Sequence, residues 1–588
     1  MKKVGLSFLF ILFLTTDLFS QNYPKDFFRL PVDTVVRLGG NFGEIRWDHF
    51  HYGWDVRTGG HERMKVVAAG DGYVSRVKTG AYGYGKVIYI THPNGFVSVY
   101  AHLSEFNIAI GQYVKAAQYK NETYETDLYP AKDELKIKKG EFIALSGNTG
   151  NSSGPHLHFE IRDEKTEEII NPYFFGLKIE DNIPPYFKTL AVYPTNDLVN
   201  GKNTEKYIPL VRKNGIYQFR SKDSIIVNGE VGFGIELYDK ENNSNGNNQV
   251  FSLEFQVDGN RVYYYEMNKL AFDQTLYVNA HVDYMIQRKE NKNIQKAFVL
   301  PGNKFPIYKD VINSGLVNFT DDKIHLGKFI AKDFYGNTAV FMFKIKSDPS
   351  IKGEKNDCIP FITNSPAKSL FPLKYDSTYE LENGFKINFT KNTFFDDVCF
   401  PMGTLPAWSS LTSPVEKLHT QVYSKFAEAG SVFRPVFIKY EIKIKCDTLP
   451  QDSLRYKLLI VHIDGKQNIS SKGGDYKDGW VSAKVGTLGS FVVVIDSTPP
   501  KIKAPIIPKS KNISKLKVLD FKVADNLTGI KYYRATIDGK WILLEYEPKK
   551  NSLFCKNDEH IPNGTHQLIL KVTDGKANSS TLLFDYVK

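Results

Sequence analysis

The stretch Gly147-Asn-Thr-Gly-Asn-Ser-Ser-Gly-Pro-His-Leu-His-Phe-Glu160 joins a glycine-rich turn to a short run of alternating side chains. Side chains two positions apart in a β-strand project from the same face, so we expect His156 and His158 to lie together while Leu157 points into the core. Glu160 shares the face of His158, where a carboxylate either supports the histidine or faces solvent. The stretch predicts a strand that carries a metal or proton-transfer site.

Histidines also gather upstream of this stretch. Seven of the 13 histidines lie within residues 49–158, among alternating runs such as residues 72–77 that predict a small antiparallel β-domain. His51 and Asp55 have the same strand parity, and Gly53 between them is expected to leave room for an ion. Two imidazoles and one carboxylate suit a catalytic zinc, which takes three protein ligands and keeps one position open for water. Two histidines then remain for proton transfer.

The order of these motifs is similar to that of a known family. The motifs are Asn41-Phe-Gly43 with Arg46, His51-x-Gly-x-Asp55, Tyr100-x-His-Leu103 and Gly150 through Glu160. Together they resemble the catalytic domain of the lysostaphin/LytM-type zinc metallopeptidases over roughly residues 35–175. Each motif is weak by itself, whereas the order is specific. The resemblance implies a zinc endopeptidase that cuts peptide bonds in the peptide part of peptidoglycan.

The resemblance also implies roles for single residues. It makes His51, Asp55 and His158 the Zn²⁺ ligands, and it makes His102 and His156 the catalytic pair. The other three histidines of the cluster match no ligand position and are expected to be packed or exposed bystanders: His49, His61 and His92.

One segment departs from the family pattern. Residues 114–132 are longer than the family minimum and rich in tyrosine and acidic side chains. The segment either contributes to substrate preference at the groove or forms a surface hairpin that only packs on the domain.

Length and composition predict several β-rich domains. The 588 residues include 14% aromatic side chains within an ordinary globular composition, which excludes a disordered or collagen-like chain. We predict an all-β protein in which an antiparallel-sheet zinc peptidase domain precedes immunoglobulin-like β-sandwich domains. The predicted units are a signal peptide at 1–20, the peptidase domain at 21–178, a β-sandwich at 181–348, a strand-rich domain at 353–495 and a C-terminal immunoglobulin-like β-sandwich at 498–588.

Two of these units open and close alike. They begin with Asp181-Asn-Ile-Pro-Pro and Asp496-Ser-Thr-Pro-Pro, and paired prolines suit linkers because proline cannot donate to a central ladder. Each unit ends with a turn and an apolar strand, starting near Asp333 in the first and Thr573 in the second. These endings predict the last strands of β-sandwiches.

Two further stretches yield local predictions. The Asp/Asn-rich stretch 239–248 has Ser244 where an EF-hand loop needs glycine, and no glutamate follows at the required offset. We therefore predict a hairpin loop there. Residues 424–430 are predicted to form an isolated helical turn.

The N-terminus and the charge distribution bear on location and partners. Residues 1–20 are typical of an export signal, because a basic start precedes an apolar run too short to span a bilayer. No later stretch suits a membrane span, so we expect a periplasmic, envelope-associated or extracellular protein. The net charge of +11 lies beyond residue 180, and it suits either acidic envelope polymers or an ordinary solvated surface. Nothing resembles a nucleic-acid motif.

The sequence thus predicts a secreted zinc-dependent endopeptidase that hydrolyses stem or cross-link peptides of peptidoglycan. One alternative is a non-catalytic envelope scaffold that activates other wall hydrolases, as in family members that have lost zinc ligands. The complete set of five motif residues argues against it. Another alternative is a surface-binding adhesin with an auxiliary peptidase domain. In each case the C-terminal β-domains are expected to bind an envelope polymer or a protein partner.

Overall fold

The computed structural model describes residues 23–195, 198–199, 204–221, 224–244, 246–351, 369–371, 373–381, 384–400, 402–405 and 420–588. The predicted signal peptide lies outside these residues. Within them the chain forms 45 β-strands and three α-helices, so the predicted all-β class is confirmed. Short 3₁₀ turns occupy Pro172–Phe175, Phe272–Tyr277, Asn313–Gly315, Asp452–Lys457 and Pro548–Lys550. None of the described helices is long and apolar enough to cross a membrane.

The N-terminal domain consists of one large sheet, one small sheet and a helix. Its elements are β1 Leu38–Gly40, β2 Trp54–Arg57, β3 Lys65–Val67, β4 Gly72–Thr79, β5 Val87–Thr91, β6 Phe96–Ala101, β7 Glu105–Phe106, α1 Ile108–Asn121, β8 Thr126–Leu128, β9 Lys136–Ile137, β10 Phe142–Leu145, β11 His156–Asp163 and β12 Ile169–Ile170. The large sheet has the order β1-β2-β11-β6-β5-β4-β8, and β3-β10-β7 form the small sheet. Strand β11 therefore runs between β2 and β6.

Strand β11 separates the core from the polar face of the domain. Leu157, Phe159 and Ile161 are completely buried in the hydrophobic core. Burial of each such side chain contributes about 1.5–3 kcal/mol. The alternate positions of the strand carry His156, His158 and Glu160, as the two-residue period predicts.

Helix α1 supplies the first eight residues, 114–121, of the segment that departs from the family pattern. The Asn107 side chain caps the helix by accepting a hydrogen bond from the Ile110 amide, and Glu122 ends it in a left-handed conformation. Strand β8 follows and pairs with β4 at the edge of the large sheet. Residues 114–132 are thus a capped helix followed by an edge strand, and the hairpin alternative is wrong.

The second domain is a large twisted sheet system. Its elements are β13 Tyr186–Pro194, β14 Leu198–Val199, β15 Lys206–Lys213, β16 Ile216–Phe219, β17 Ile226–Tyr238, β18 Ser252–Val257, β19 Asn260–Glu266, β20 Lys269–Leu270, α2 Val278–His281, α3 Tyr284–Glu290, β21 Ile294–Lys296, β22 Tyr308–Val311, β23 Val317–Phe319, β24 Ile324–Lys332 and β25 Thr338–Ser347. The main path is β16-β15-β13-β17-β25-β24-β18-β19-β22. Asp239 and Asn248 exchange both backbone hydrogen bonds, at 2.9 and 3.0 Å, and so close the loop between them as the predicted hairpin.

The first two domains share a hydrophobic core. Strand β12 pairs with β20, so the large sheet of the N-terminal domain continues into the second domain. Tyr173 stacks on Phe334 with ring centroids 4.9 Å apart. Buried residues from both sides of the junction belong to one continuous cluster. This packing holds the two domains together without relying on the linker.

The third domain is a sandwich of two sheets, and the pair β26 and β29 lies beside it. Its elements are β26 Ser369–Phe371, β27 Ser377–Leu381, β28 Phe385–Phe389, β29 Val398–Phe400, β30 Met402–Leu405, β31 Phe426–Ala429, β32 Tyr440–Lys445, β33 Leu458–Ile463, β34 Ile469–Ser471, β35 Asp475–Lys477, β36 Trp480–Val485 and β37 Gly489–Ile495. The sheets are β27-β28-β32-β36-β35 and β30-β31-β37-β33-β34. The helical turn predicted for residues 424–430 is wrong, because pairing with β30 and β37 makes this segment a strand.

The C-terminal domain is a sandwich of two four-stranded sheets. Its strands are β38 Lys501–Lys503, β39 Val518–Ala524, β40 Ile530–Ile537, β41 Lys540–Trp541, β42 Glu545–Glu547, β43 Ser552–Lys556, β44 Thr565–Asp574 and β45 Ser579–Val587. The sheets have the orders β38-β39-β43-β42 and β41-β40-β44-β45. Their inner faces enclose a separate hydrophobic cluster.

The C-terminal sandwich docks on α1 of the N-terminal domain. Tyr119 stacks on His560 with centroids 4.2 Å apart and meets Trp541 edge-on at 5.2 Å. Lys115 pairs with Asp558 at 2.8 Å. The segment of residues 114–132 therefore makes an interdomain contact, with Tyr119 at its centre.

Tyr119→Ala should loosen this docking. Two aromatic contacts are lost, which costs about 1–3 kcal/mol beyond the buried area. The expected result is faster cleavage by a dilute protease in the linker at residues 496–500, with the domains still folded. Tyr129→Ala is the matched control, because Tyr129 lies in the same segment but is 67% exposed. Equal cleavage rates for Tyr119→Ala and the unchanged chain would contradict this account of the docking.

Candidate metal centre

Strand register brings the two ends of the predicted site together. β11 pairs antiparallel with β2 and with β6, and His158 lies directly opposite Asp55 on one side and Ala101 on the other. Directly opposed residues have Cβ atoms about 4.5–5.5 Å apart on the same face. Asp55 and His158 therefore meet although 103 positions separate them in the sequence.

Residues that flank these strands complete the arrangement. His51 precedes β2, and His102 follows β6 with φ of 59°, a left-handed conformation that few non-glycine residues adopt. Strained backbone of this kind clusters at functional sites. Gly53 has a different role from the predicted one, because a Cβ there would lie 2.3 Å from the carbonyl oxygen of Phe159. Glycine lets the two strands approach, and the expectation that it makes room for an ion is wrong.

Three donor atoms form a compact triangle. His51 Nε2 lies 2.9 Å from Asp55 Oδ1 and 3.0 Å from His158 Nδ1, and His158 Nδ1 lies 2.9 Å from Asp55 Oδ1. All three residues are buried. Ligands of a tetrahedral metal at about 2.0–2.1 Å are roughly 3.3 Å apart, so a small outward movement would admit an ion. Two imidazoles and a carboxylate fit a divalent transition metal.

Each candidate ligand is oriented by a second hydrogen bond. His51 Nδ1 donates to the carbonyl oxygen of Asn41 at 2.7 Å, which leaves Nε2 free for a metal. His158 Nε2 contacts Glu160 Oε1 at 2.8 Å, which leaves Nδ1 facing the triangle. Asp55 is paired through Oδ2 with Arg46. Such partners fix the tautomer and ring orientation of metal ligands.

Glu160 supports His158 from inside the protein. Its side chain is completely buried, and Arg162 Nε donates to it at 2.7 Å. The Tyr84 hydroxyl also donates to Glu160, and the Tyr84 ring stacks on His158 with centroids 5.3 Å apart. The solvent-exposed alternative for Glu160 is wrong. Tyr84 and Arg162 were missed by the sequence analysis, since nothing in their local pattern indicates that they converge on Glu160.

Burial and charge set the protonation of the candidate ligands. Burial lowers the pKa of His51 to about 4, so this ring is neutral near pH 7. Burial alone raises the pKa of Asp55, but the adjacent histidines outweigh it and hold the net pKa well below the usual range. Burial lowers the pKa of His158, yet hydrogen bonds and charge from Asp55 and Glu160 raise it to about 9. A metal would displace this proton, because imidazole ligands bind in the neutral form.

The predicted catalytic pair lies beside the triangle. The His102 and His156 ring centroids are 4.9 Å apart, and His156 Nε2 lies 3.2 Å from Asp55 Oδ1. Their Nδ1 atoms contact the carbonyl oxygens of Thr149 and Gly154, each at 2.8 Å. A carbonyl only accepts, so Nδ1 of each ring carries a hydrogen and Nε2 is the ring atom left for the site. Burial, followed by the neighbouring histidines, lowers the pKa of His102 to about 3.

The remaining clustered histidines lie away from the triangle. His49 is half-buried and contacts Asp48 at 2.7 Å, and His61 is exposed. His92 is buried and contacts the Asp71 carbonyl oxygen at 2.8 Å. The structure thus brings together all five residues selected from the motifs and leaves out the three expected bystanders.

Asp55→Ala should remove the bound metal. The two remaining imidazoles bind a divalent ion weakly without the carboxylate. Metal content by mass spectrometry is expected to fall from about one equivalent to a small fraction, with the fold retained in circular dichroism. Asp48→Ala is the control, since its carboxylate is 66% exposed and lies outside the triangle. Stoichiometric metal in an Asp55→Ala, His158→Ala double variant would exclude this site.

Glu160→Gln should weaken metal binding without removing a ligand. The amide oxygen still accepts a hydrogen bond from His158, but the charge that favours metal binding is lost, and affinity is expected to fall about 10–100-fold. Competition with a chromophoric chelator, carried out on folded protein, measures the change in metal affinity. The control is Glu164→Gln, at an exposed glutamate in the turn after the strand. Unchanged affinity would show that Glu160 has only a structural role.

Comparison with known proteins agrees with this geometry. Peptidase family M23 matches residues 49–128 and 125–172, and a Zu5-like domain matches residues 369–496. An uncharacterized metalloprotease of Haemophilus influenzae is 34% identical over 145 residues, which are 23% of this chain and 25% of that protein. The peptidoglycan DD-endopeptidase ShyA of Vibrio cholerae is 30% identical over 143 residues, 23% of this chain and 27% of its own.

Two further similarities bear on the range of the family. The murein hydrolase activator NlpD of Salmonella dublin is 31% identical over 143 residues, which are 24% of this chain and 30% of that protein. The solved catalytic domain of lysostaphin from Staphylococcus simulans is 24% identical and aligns over 24% of this chain and 91% of its own, with a TM-score of 0.18. The chain spans about a quarter of the length of the curated relatives it matches first. The predicted resemblance is confirmed, and residues 49–172 of this chain are a domain of peptidase family M23.

Proposed function

We propose that this chain is an exported zinc-dependent endopeptidase that hydrolyses peptide bonds in peptidoglycan stem or cross-link peptides. One observation carries the proposal: three converging donor atoms lie beside two histidines whose Nδ1 atoms are held by backbone carbonyl oxygens. A relative with the same domain is named a peptidoglycan endopeptidase. Zinc is favoured over other metals because a site of two imidazoles and one carboxylate with an open position suits hydrolysis.

The residues of the chain supply the proton transfers. Zinc held by His51, Asp55 and His158 would lower the pKa of a water molecule and polarise the scissile carbonyl. His156 is assigned the water proton, because its Nε2 lies 3.2 Å from the ligand atom Asp55 Oδ1. His102 is assigned to the leaving-group side, where it stabilises the developing oxyanion or passes a proton to the amine. Burial lowers the pKa of His102 to about 3, so the ring must first receive the proton that it passes on.

The domains beyond residue 180 are proposed to hold the enzyme at an envelope polymer or a protein partner. Their net charge supports attraction to acidic polymers, since residues 21–180 are nearly balanced and the basic excess lies downstream. The C-terminal sandwich also reaches the glycine-rich turn before His156. Lys549 Nζ of the sandwich donates a hydrogen bond to the Ser152 carbonyl oxygen of this turn at 3.1 Å. This position would let the sandwich influence which peptides reach His156.

A second candidate function is activation of other wall hydrolases without catalysis. The similarity to NlpD, named a murein hydrolase activator, favours it. The complete arrangement of five motif residues favours catalysis instead. The two functions differ in whether the purified chain alone creates new peptide ends in sacculi.

Digestion of purified sacculi by the zinc-loaded mature chain tests the proposal. Mass spectrometry should detect released fragments with new peptide termini. His102→Ala and His156→Ala should keep zinc and lose about 10²–10⁴-fold in rate, the range for a general acid or base. His61→Ala, at an exposed histidine of the same domain, is the control and should retain full activity.

Two results would overturn the catalytic proposal. The first is no new peptide end with zinc-loaded protein, together with faster release by an added wall amidase, which would support the activator. The second is unchanged rate in both histidine variants.

A further inference from the structure

Three aspartates converge at the junction between the first two domains. Asp181 lies in the linker before Pro184, Asp239 follows β17, and Asp333 follows β24. One carboxylate oxygen from each lies within 4.8 Å of the others. They line a small polar cavity, which Asn41 and Tyr173 of the N-terminal domain also line. The cluster therefore contacts both domains.

Asp239 lacks the partners that a buried carboxylate requires. The residue is only 3% exposed, and its Oδ1 has no hydrogen-bond partner among the described residues. No ion pair within the described part of the chain involves Asp181, Asp239 or Asp333. Burial and the neighbouring carboxylates raise the pKa of Asp239 to about 9. A buried, unpaired carboxylate beside two others is costly unless a cation joins them.

The same arrangement recurs at the start of the C-terminal sandwich. Asp496 precedes Pro499 in the matching linker, Asp525 follows β39, and Asp574 ends β44. Their carboxylate oxygens also lie within 4.8 Å of one another, and Asp525 Oδ1 is buried without a partner. Two separate β-domains thus place three aspartates at corresponding points of the fold.

The agreement extends to the hydrogen bonds around each cluster. Asn337 Nδ2 donates to Asp333 Oδ2 at 2.6 Å and to the Asp181 carbonyl oxygen at 3.3 Å. Asn578 Nδ2 donates to Asp574 Oδ2 at 2.7 Å and to the Asp496 carbonyl oxygen at 3.0 Å. Each asparagine fixes two of the three backbone segments relative to one another. The carboxylates are therefore held in place before any ligand binds.

We infer that each aspartate triad binds one Ca²⁺ and that the ions stiffen the junctions before the second and the C-terminal domains. The donor set contains only oxygen, which favours a hard cation over zinc. Two oxygens bound to one Ca²⁺ at about 2.4 Å are at most about 4.8 Å apart, as the clusters require. Mg²⁺ suits them less, because it demands tighter octahedral geometry and keeps most of its water. These sites are separate from the M23 metal centre.

Calcium binding to the zinc-loaded mature chain tests this inference. Equilibrium dialysis with ⁴⁵Ca²⁺ should detect two ions, with Kd of about 10⁻⁴–10⁻³ M as in extracellular modules. Mg²⁺ at the same concentration as Ca²⁺ should not displace them. Calorimetry should show a Tm rise of several degrees with 10 mM CaCl₂.

Single substitutions separate a cation site from a structural cluster. Asp239→Asn and Asp525→Asn should each bind one Ca²⁺, and the double variant should bind none. Without calcium, Asp239→Asn should be at least as stable as the unchanged chain, because the amide is neutral without having to take up a proton. Asp322→Asn is the control, since this aspartate is on the second domain but 75% exposed. It should bind two ions.

Three results would overturn the inference. They are the absence of retained ⁴⁵Ca²⁺ on the unchanged chain, two ions retained by the double variant, and a lower Tm for Asp239→Asn in calcium-free buffer. The first result would leave proton sharing among the carboxyl groups as the explanation of the clusters.

Discussion

The antiparallel register of β11 against β2 is the constraint on which the candidate site depends. It sets His158 opposite Asp55, and a shift of one residue would move every side chain of β11 to the other face. Leu157, Phe159 and Ile161 oppose such a shift, because it would expose three fully buried side chains. The hydrophobic core therefore holds the metal-ligating face in place.

Charged residues are buried around the site in connected pairs. Arg46 neutralises Asp55, and Arg162 neutralises Glu160, so each carboxylate that serves the histidines has its own cation. Removing one partner would leave an uncompensated buried charge, which costs about 3–5 kcal/mol. The network is thus costly to disturb, and it holds the imidazoles in one tautomer before a metal arrives.

The other domains are packed against the peptidase domain. The second domain continues its sheet through β12 and β20, and the C-terminal sandwich rests on α1 and reaches the glycine-rich turn through Lys549. The substrate of the proposed function would approach His156 past these surfaces. The aspartate triads lie at two of the junctions, so the proposed calcium sites would control how firmly the second and the C-terminal domains are held.

The sequence by itself determined the class of fold and the residues of the candidate site. Two-residue alternation identified β11 and paired His156 with His158 and His51 with Asp55, because local periodicity reports which side chains share a face. The resemblance of the motifs to a known family supplied His102 and completed the set of five residues that the structure brings together. Tertiary structure decided what depends on distant pairing. It buried Glu160 between Arg162 and Tyr84. It paired the segment 424–430 as a strand, where the sequence predicted a helical turn. It also brought two strands so close at Gly53 that a larger side chain would not fit there. It also assembled Asp181, Asp239 and Asp333 from three loops. No local pattern encodes these contacts, since each depends on chain segments that meet only after the sheets have formed.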